Sequence, residues 1–326
     1  MRLIERLLVV CWLFGLILML DLLSIGGITF DNLFWVNRLP KTHFEGIIER
    51  QGRFFGGRAP NVAVATAKLG IKSGLVSSVG GDFESEGYEN YLKNNGVDSR
   101  GVLKFHNEKT KQVFIFTDLK GNQITFFDYG AERHFSEMKT PIELIKESRF
   151  VHISSSGDYK FNIRCAKYAH NNDVAVSFDP GNDPFTEINE YLSAMLQNCN
   201  ILFMNNLEAR GILKRLKLNK ANELLSFGPE RIVVIDKNDK SSIVFSQHTT
   251  ENIPSIIRGT KDPTGASDGY VSGFLSGHLK GYSNRICAQI GAVEASFVAE
   301  GFGAQTNLPT WQLMQHRFKQ QFKDLL

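Results

Sequence analysis

The chain has 326 residues, 42% hydrophobic and 22% charged, a balance that fits one large folded α/β unit and excludes an intrinsically disordered protein. Its net charge is only +3, with Lys and Arg scattered, so it carries no electrostatic footprint for a nucleic-acid partner. Cys11, Cys165, Cys199 and Cys287 stand far apart without C-x-x-C spacing and no H-E-x-x-H occurs; the thiols read as those of a reducing, cytoplasmic compartment, and no zinc site is predicted.

Residues 7–20 form an unbroken apolar run behind Arg2 and Arg6. It is short for a membrane span, which needs roughly 20 residues, and no small-residue cleavage site follows. Residues 1–18 are therefore expected to lie outside the folded unit, either as an over-long start with Met19 the true first residue, or as a membrane anchor built on 7–20. From Leu22 to Phe30 the chain is β-rich and ends in Asp31 and Asn32, with Gly26-Gly27 signalling close approach of a backbone or ligand. Asp31 reads either as an Asx turn after the strand or as a ligand-binding carboxylate.

Gly56-Gly57-Arg58-Ala59-Pro60-Asn61 leads into an Ala-rich helix that Gly70 ends. The glycines supply a tight bend and Pro60 suits a helix start; Asn61 by itself reads as a cap. Residues 33–55 and 101–130 are less regular, and Gln112–Thr117 and Gln123–Asp128 around Lys120-Gly121-Asn122 form a hairpin signal.

From Phe150 onward, short apolar β-runs alternate with helix-length segments: 150–154, 173–178, 200–204, 231–235 and 242–245 are the strands. Continuous apolar strands between amphipathic helices predict a parallel sheet covered on both faces, with ligands beyond the carboxyl ends of its strands. Asp179-Pro180-Gly181-Asn182 and Asn205-Asn206-Leu207-Glu208 fall at such ends. Asn205 and Glu208 also suit a plain helix cap and first-turn acid. Neither a G-x-x-x-x-G-K-S/T loop nor a G-x-G-x-x-G after a strand is present, which removes the Walker nucleotide loop and weakens a dinucleotide reading.

The richest stretch is Asp262-Pro263-Thr264-Gly265-Ala266-Ser267-Asp268, which opens directly into a helix. Helix-start N–H groups have no intrahelical partner, and with the positive end of the dipole they attract anionic oxygens. Asp268 reads either as a helix cap or as a base beside that cradle. Cradle plus base is what phosphoryl transfer to an alcohol requires. The following chain, Arg285 to Ala304, reads as a long Ala-rich helix, and a final surface helix after Pro309 is anchored by Trp311 and Phe318.

Two of these stretches, in order and about 200 residues apart, resemble the signatures of the PfkB (ribokinase-like) family of carbohydrate and nucleoside kinases: G-G-x-x-x-N-x-A at Gly56, Gly57 and Asn61, and D-T-x-G-A-G-D at 262–268. The resemblance implies a doubly wound, mostly parallel sheet flanked by helices, spanning 19–326, with a small β-sheet lid from about 33–55 and 101–130. It implies transfer of the γ-phosphate of ATP to a primary hydroxyl of a sugar or nucleoside. By the same resemblance Asp268 is the base, the amides of Gly265, Ala266, Ser267 and Asp268 form the anion hole, and Asp31, Gly56, Gly57 and Asn61 meet the acceptor. Asn205, Glu208, Thr264 and Gly303 attend the nucleotide, Glu208 holds Mg²⁺ through water, and Asp262 is a candidate K⁺ ligand. Homodimerisation through the lid is a further expectation, and Arg258 is a candidate helper for phosphate charge.

Two departures stand out. Ser267 replaces the second Gly of the signature, and the nucleotide-side turn 236–240 contains no Gly. Both raise the alternative of a catalytically weakened sugar- or nucleoside-binding member of the fold. Ser267 is harmless if its φ is negative, as expected for a residue entering a right-handed helix.

Overall fold

The computed structural model describes residues 19–155, 158–181, 189–236, 239, 241–257, 259–323 and 326. The expectations for residues 1–18, Asn182, Lys237, Asn238, Lys240 and Arg258 fall outside the described residues.

Strands β1 (Leu22–Ile25), β4 (Ser73–Gly80), β5 (Asp98–Phe105), β8 (Phe150–Ser154), β9 (Ala175–Asp179), β10 (Ile201–Asn205), β11 (Arg231–Ile235), β12 (Ser242–Ser246) and β13 (Thr250–Ile253) form one sheet. Its order is β13-β12-β11-β10-β9-β8-β1-β4-β5, parallel from β11 to β5 and antiparallel across β11-β12-β13. Every residue of β1, β4, β8 and β10 is buried, the signature of strands covered on both faces. The chain leaves β1 toward β4 and returns on its other side at β8, so strand order reverses there; a crevice at the carboxyl ends is the geometric consequence.

The second sheet is β2 (Thr29–Val36), β3 (Ile48–Gly56), β6 (Lys111–Thr117) and β7 (Gln123–Asp128), in the order β3-β2-β6-β7. The boundaries differ from those expected. The β-rich run from Leu22 divides at Gly26-Gly27-Ile28 into β1 and β2, one in each sheet, and Asp31 lies inside β2 rather than after a strand. Residues 101–105 belong to β5, an edge strand of the large sheet, because that edge is only half buried and its mixed pattern imitates an exposed β piece. The small sheet alternates cleanly: Val113, Ile115, Thr125 and Phe127 face a cavity, while Phe34 and Phe116 stack at 4.7 Å on the other side with Phe126 against them.

The helices are α1 (Arg58–Lys68), α2 (Asp82–Ser85), α3 (Tyr88–Asn94), α4 (Ile142–Lys146), α5 (Tyr159–His170), α6 (Asn189–Gln197), α7 (Asn206–Leu216), α8 (Ala266–Leu279), α9 (Asn284–Ala299) and α10 (Trp311–Gln321). The helix-length segment after β10 ends at Leu216, followed by a 3₁₀ turn over Ala221–Phe227. No helix among the described residues is long and apolar enough to cross a membrane. Cys165, Cys199 and Cys287 are buried free thiols.

What positions the site is the seating of α8 on α9. Gly269, Gly273 and Gly277 recur every fourth residue and share one helical stripe. A Cβ on Gly273 would stand 2.7 Å from the Ile290 carbonyl and 2.8 Å from Gly291 Cα, so the two backbones touch there. Gly273→Val is expected to overpack this contact by about 1–3 kcal/mol and to lower Tm by roughly 3 °C or more. An unchanged Tm in thermal unfolding contradicts this account of how α8 is held.

Candidate active site

The turn Asp262–Gly265 ends in Gly265 at φ 77°, the left-handed conformation that glycine adopts without strain, and α8 starts at Ala266 with no side-chain cap. Nothing but Gly fits at 265 in any case, because a Cβ there would overlap Ala304. Ser267 lies inside the right-handed helix and is absent from the positive-φ residues, so it keeps its N–H where a Gly would. Of the four amides expected in the anion hole, that of Ala266 is turned back, donating to the Pro263 carbonyl at 3.1 Å. The Gly265, Ser267 and Asp268 N–H groups have no hydrogen-bond partner among the described residues.

Asp268, in the first turn of α8, is 8% exposed, and its Oδ2 accepts a 2.6 Å hydrogen bond from the Asn61 Nδ2. Burial pushes its carboxyl up to about 7; Arg58 and the Asn61 bond oppose this, while Asp179 and Asp31 add to it. A carboxylate poised near neutrality is well matched to general-base work. Asn61 is buried as well, and its Oδ1 accepts from Gln305 Nε2 at 2.7 Å. Both ends of this amide are thus engaged by the protein, so its first task is to face Asp268.

Two cavities meet at this carboxylate. One, of about 470 Å³, has Asp179, Asn205, Glu208, Thr264 and Ser267 at its polar end and Ile256, Ile257, Ala292, Ala295 and Ala299 along an apolar slot. The other, of about 510 Å³, is walled by Gly27, Asp31, Gly57, Asn61, Lys111, Glu132 and the small sheet. Arg58, Thr264, Gly265 and Asp268 belong to both walls.

Among the described residues Arg58 is the cation at that junction, and no local motif in the sequence singles it out. Its Nη1 donates to Asp179 Oδ1 at 3.0 Å and its Nη2 lies 3.9 Å from Glu208 Oε1. Gly181 makes room for the guanidinium; a Cβ there would overlap it. Asn205 and Glu208 form a capping box on α7: Asn205 Oδ1 accepts from the N–H groups of Leu207 and Glu208 at 2.9 and 3.0 Å, and Glu208 Oε2 accepts from Asn205 N–H at 2.7 Å. The helix-cap reading is realised, and the same two residues stand in the wall of the first cavity.

In the second cavity Asp31 Oδ1 accepts from Thr29 Oγ1 at 2.6 Å, and burial pushes its carboxyl up to about 6 against the pull of Thr29 and Lys111. Lys111 forms a 2.5 Å ion pair with Glu132 and lies over the rings of Phe127 and Tyr129. Neither partner had a sequence signal, since their pairing exists only through the fold. Gly57 adopts φ 102° and a Cβ on it would overlap the Gly27 carbonyl, which explains its identity by close approach. Gly56 and Gly303 line neither cavity. Gly56 leaves the space that the Asp31 carboxylate fills, and Gly303 N–H donates to Asp262 Oδ2 at 2.8 Å. Asp262 Oδ1 accepts from Thr264 N–H and Oγ1 at 3.0 and 2.7 Å, so this carboxylate ties the turn before α8 to the loop after α9.

The pfkB family carbohydrate kinase pattern matches residues 23–311. The chain belongs to the pfkB family of carbohydrate kinases. It is 38% identical over 302 residues to a nucleoside kinase of Methanocaldococcus jannaschii, covering 90% of this chain and 95% of that one. A nucleoside kinase of Methanothermobacter thermautotrophicus is 35% identical over 302 residues, covering 93% and 96% of the two chains. The crystal structure of the M. jannaschii nucleoside kinase, described as an archaeal member of the ribokinase family, superposes with a TM-score of 0.85 over 93% of this chain and 99% of that one. A ribokinase from Thermotoga maritima, 21% identical, shares the fold with a TM-score of 0.80, over 93% of this chain and 100% of that one. This pfkB kinase is thus an ATP-dependent phosphotransferase of the carbohydrate and nucleoside class.

Two outcomes follow from the geometry of α8. Asp268→Asn should lower turnover roughly 10²–10⁴-fold, whereas Ser267→Gly should change it by less than about tenfold; comparable losses contradict the assignment. The acidity of Asp268 also has a sign. With its carboxyl near 3.8 when unfolded and about 7 when folded, the folded state holds the proton between these values, so this group's contribution to stability falls as pH rises through 7. Asp268→Asn should therefore melt higher than wild type at pH 8, by a margin that shrinks toward pH 5; a margin independent of pH in calorimetric scans contradicts it.

Proposed function

We propose that this kinase phosphorylates the primary hydroxyl of a nucleoside, with Asp268 as the base. The observation that carries the reading is the position of Asp268 in the wall common to both cavities. A hydroxyl entering from one side and a phosphoryl group from the other meet beside one buried carboxylate. Asp268 takes the hydroxyl proton as the oxygen bonds to the γ-phosphorus, and ADP departs with the electrons of the broken P–O bond. The Gly265, Ser267 and Asp268 N–H groups and the Arg58 guanidinium hold the oxygens whose charge grows during transfer.

The apolar slot along α9 takes the adenine of ATP, and Asn205, Glu208 and Thr264 lie along its phosphates. The residues present fit Mg²⁺ brought with ATP: Glu208, beside Asp179 on the donor wall, would hold it through water, as this ion keeps several waters and needs few carboxylates. Bound there, it would supply positive charge against that of the phosphates. Asp262, tying two loops together, is the candidate K⁺ ligand, reached only if the ion shares its lone pairs with three existing donors.

On the acceptor side Asp31 and the Gly57 backbone receive the ribose hydroxyls. Phe127 and Tyr129, with ring centres 6.2 Å apart and planes 26° from parallel, supply an aromatic platform for a base. The small sheet acts as a lid that keeps water from the phosphoryl group. Its outer face, with Phe126 at 59% exposure and Ile124 at 42%, is the surface through which two copies would pair. The reading agrees with the nucleoside kinases that are 38% and 35% identical and with a reducing, cytoplasmic setting.

An ATP-consumption assay across inosine, guanosine, cytidine, adenosine, ribose and fructose, with Mg²⁺ and with or without K⁺, tests it. Stacking of a base on an aromatic ring is worth about 1–3 kcal/mol, so the preferred nucleoside should exceed ribose by roughly tenfold or more in kcat/KM. Equal or better turnover of a free sugar overturns the nucleoside assignment.

A further inference from the structure

Behind Asp268 runs a buried chain of hydrogen bonds that the transfer chemistry does not use directly. Asn61 Nδ2 donates to Asp268 at 2.6 Å, Gln305 Nε2 donates to Asn61 Oδ1 at 2.7 Å and to Tyr88 Oη at 2.8 Å, and Tyr88 Oη donates to the Gly56 carbonyl at 2.9 Å. Asn61, Gln305 and Tyr88 are all buried. They come from α1, the loop after α9, and α3, so three separate elements converge to build it.

The direction of this chain is dictated from its far end. A peptide carbonyl only accepts, so the single proton of Tyr88 must point at Gly56. The phenol oxygen then offers only lone pairs to Gln305, and only an amide NH₂ complements them. The second proton of that NH₂ meets Asn61, which must therefore present its oxygen, leaving its own NH₂ toward Asp268. Amide orientation is settled by such networks rather than by shape, because the two ends are isosteric.

We propose that the Gly56 carbonyl, acting through Tyr88 and Gln305, locks the Asn61 amide in the orientation that donates to Asp268, which makes Tyr88 and Gln305 positioning residues for the base. Resting on the kinase reading above, the proposal adds the device that keeps its base ionisable. Flipped, Asn61 would turn an oxygen toward the carboxylate and favour its protonated, inactive form.

Gln305 Oε1 is buried without a partner among the described residues, a cost the amide bears in the orientation that gives both its N–H groups to Asn61 and Tyr88. Tyr88 is clamped in place, stacked on Phe55 at 4.3 Å and 13°, and burial raises its phenol far above the ordinary value, so it stays a donor. The charged groups that face Asp268 from the other elements are Arg58 on α1, Asp179 on β9 and Asp31 on β2, and none of them is altered by changes at 88 or 305.

The test is the acidic limb of kcat/KM for inosine with Mg·ATP, which reports the free enzyme's base. It is measured for the full chain, Asn61→Leu, Gln305→Leu, Tyr88→Phe and the Asn61→Leu/Gln305→Leu pair. A hydrogen bond to a charged group is worth enough that Asn61→Leu should move the limb up by about one pH unit, and each outer variant by about half a unit. The pair should move it no further than Asn61→Leu alone, because Gln305 acts through Asn61. A residue that merely supported the fold would lower Tm and leave the limb in place. The same ionisation is read without substrate from the pH dependence of the Tm difference between each variant and its Asp268→Asn counterpart, so an enzyme inactive on inosine still answers. A limb that stays put in both Gln305→Leu and Tyr88→Phe while Asn61→Leu moves it, or additive shifts in the pair, overturns the lock. Survival of full turnover in Asp268→Asn instead strikes the assignment of Asp268 as the base and is a separate result.

Discussion

The structure depends on one arrangement: a carboxylate held out of water in the first turn of a helix whose Ser267 and Asp268 N–H groups have no partner among the described residues. Each half is unfavourable alone. Burying Asp268 raises the free energy of its charged form, and an uncapped helix start forgoes a hydrogen bond that most helices make. Both are tolerated because the glycines of α8 let it lie directly on α9, and because Asn61 and Arg58 oppose the loss of charge at Asp268. Local strain of this kind gathers where the surroundings over-determine it, as they do here.

The rest of the fold serves that arrangement from two directions. The reversal of strand order between β1 and β8 opens a crevice at the carboxyl ends of the sheet, and Asp179, Asn205 and Glu208 stand there because their strands end there. The small sheet leaves β1 through Gly26-Gly27 and carries Asp31 and Lys111 over the second cavity. It is also tied to the loop after α9: Arg50 lies 4.0 Å over Phe302 and 4.9 Å over Trp35. That loop supplies Gly303 to Asp262 and Gln305 to Asn61. The small sheet, the turn before α8 and, through Asn61, Asp268 are therefore all tied to one short piece of chain.

What could be read from the sequence was whatever is encoded locally. The alternation of apolar strands and helices gave the parallel sheet. The Gly265 turn opening into a helix, with N–H groups left over, was legible because helix-start chemistry needs only neighbours. Ser267 has the right-handed conformation that its place at the helix start predicts. What escaped were pairings made across the chain. Asn61 meets Asp268 over 207 residues, and Gln305 meets Asn61 over 244. Asn61 lines the second cavity, and its bonds to Asp268 and Gln305 have no local signal. The Leu22–Phe30 run was read as one strand because β-propensity continues across two glycines, and propensity cannot say which sheet a segment joins. Arg58 was hidden by being one more polar residue near a glycine bend, while its partner Asp179 lies 121 positions away.

The central claim is that the Asp268 carboxylate receives the acceptor's proton at the start of α8. The most direct measurement is a crystal structure with Mg²⁺, a non-hydrolysable ATP analogue and a bound nucleoside. The account predicts the primary hydroxyl about 2.6–3.2 Å from an Asp268 oxygen, in line with a γ-phosphate seated on the Gly265 and Ser267 N–H groups. A primary hydroxyl held by another residue, with Asp268 beyond hydrogen-bond reach and its proton path closed, would contradict it.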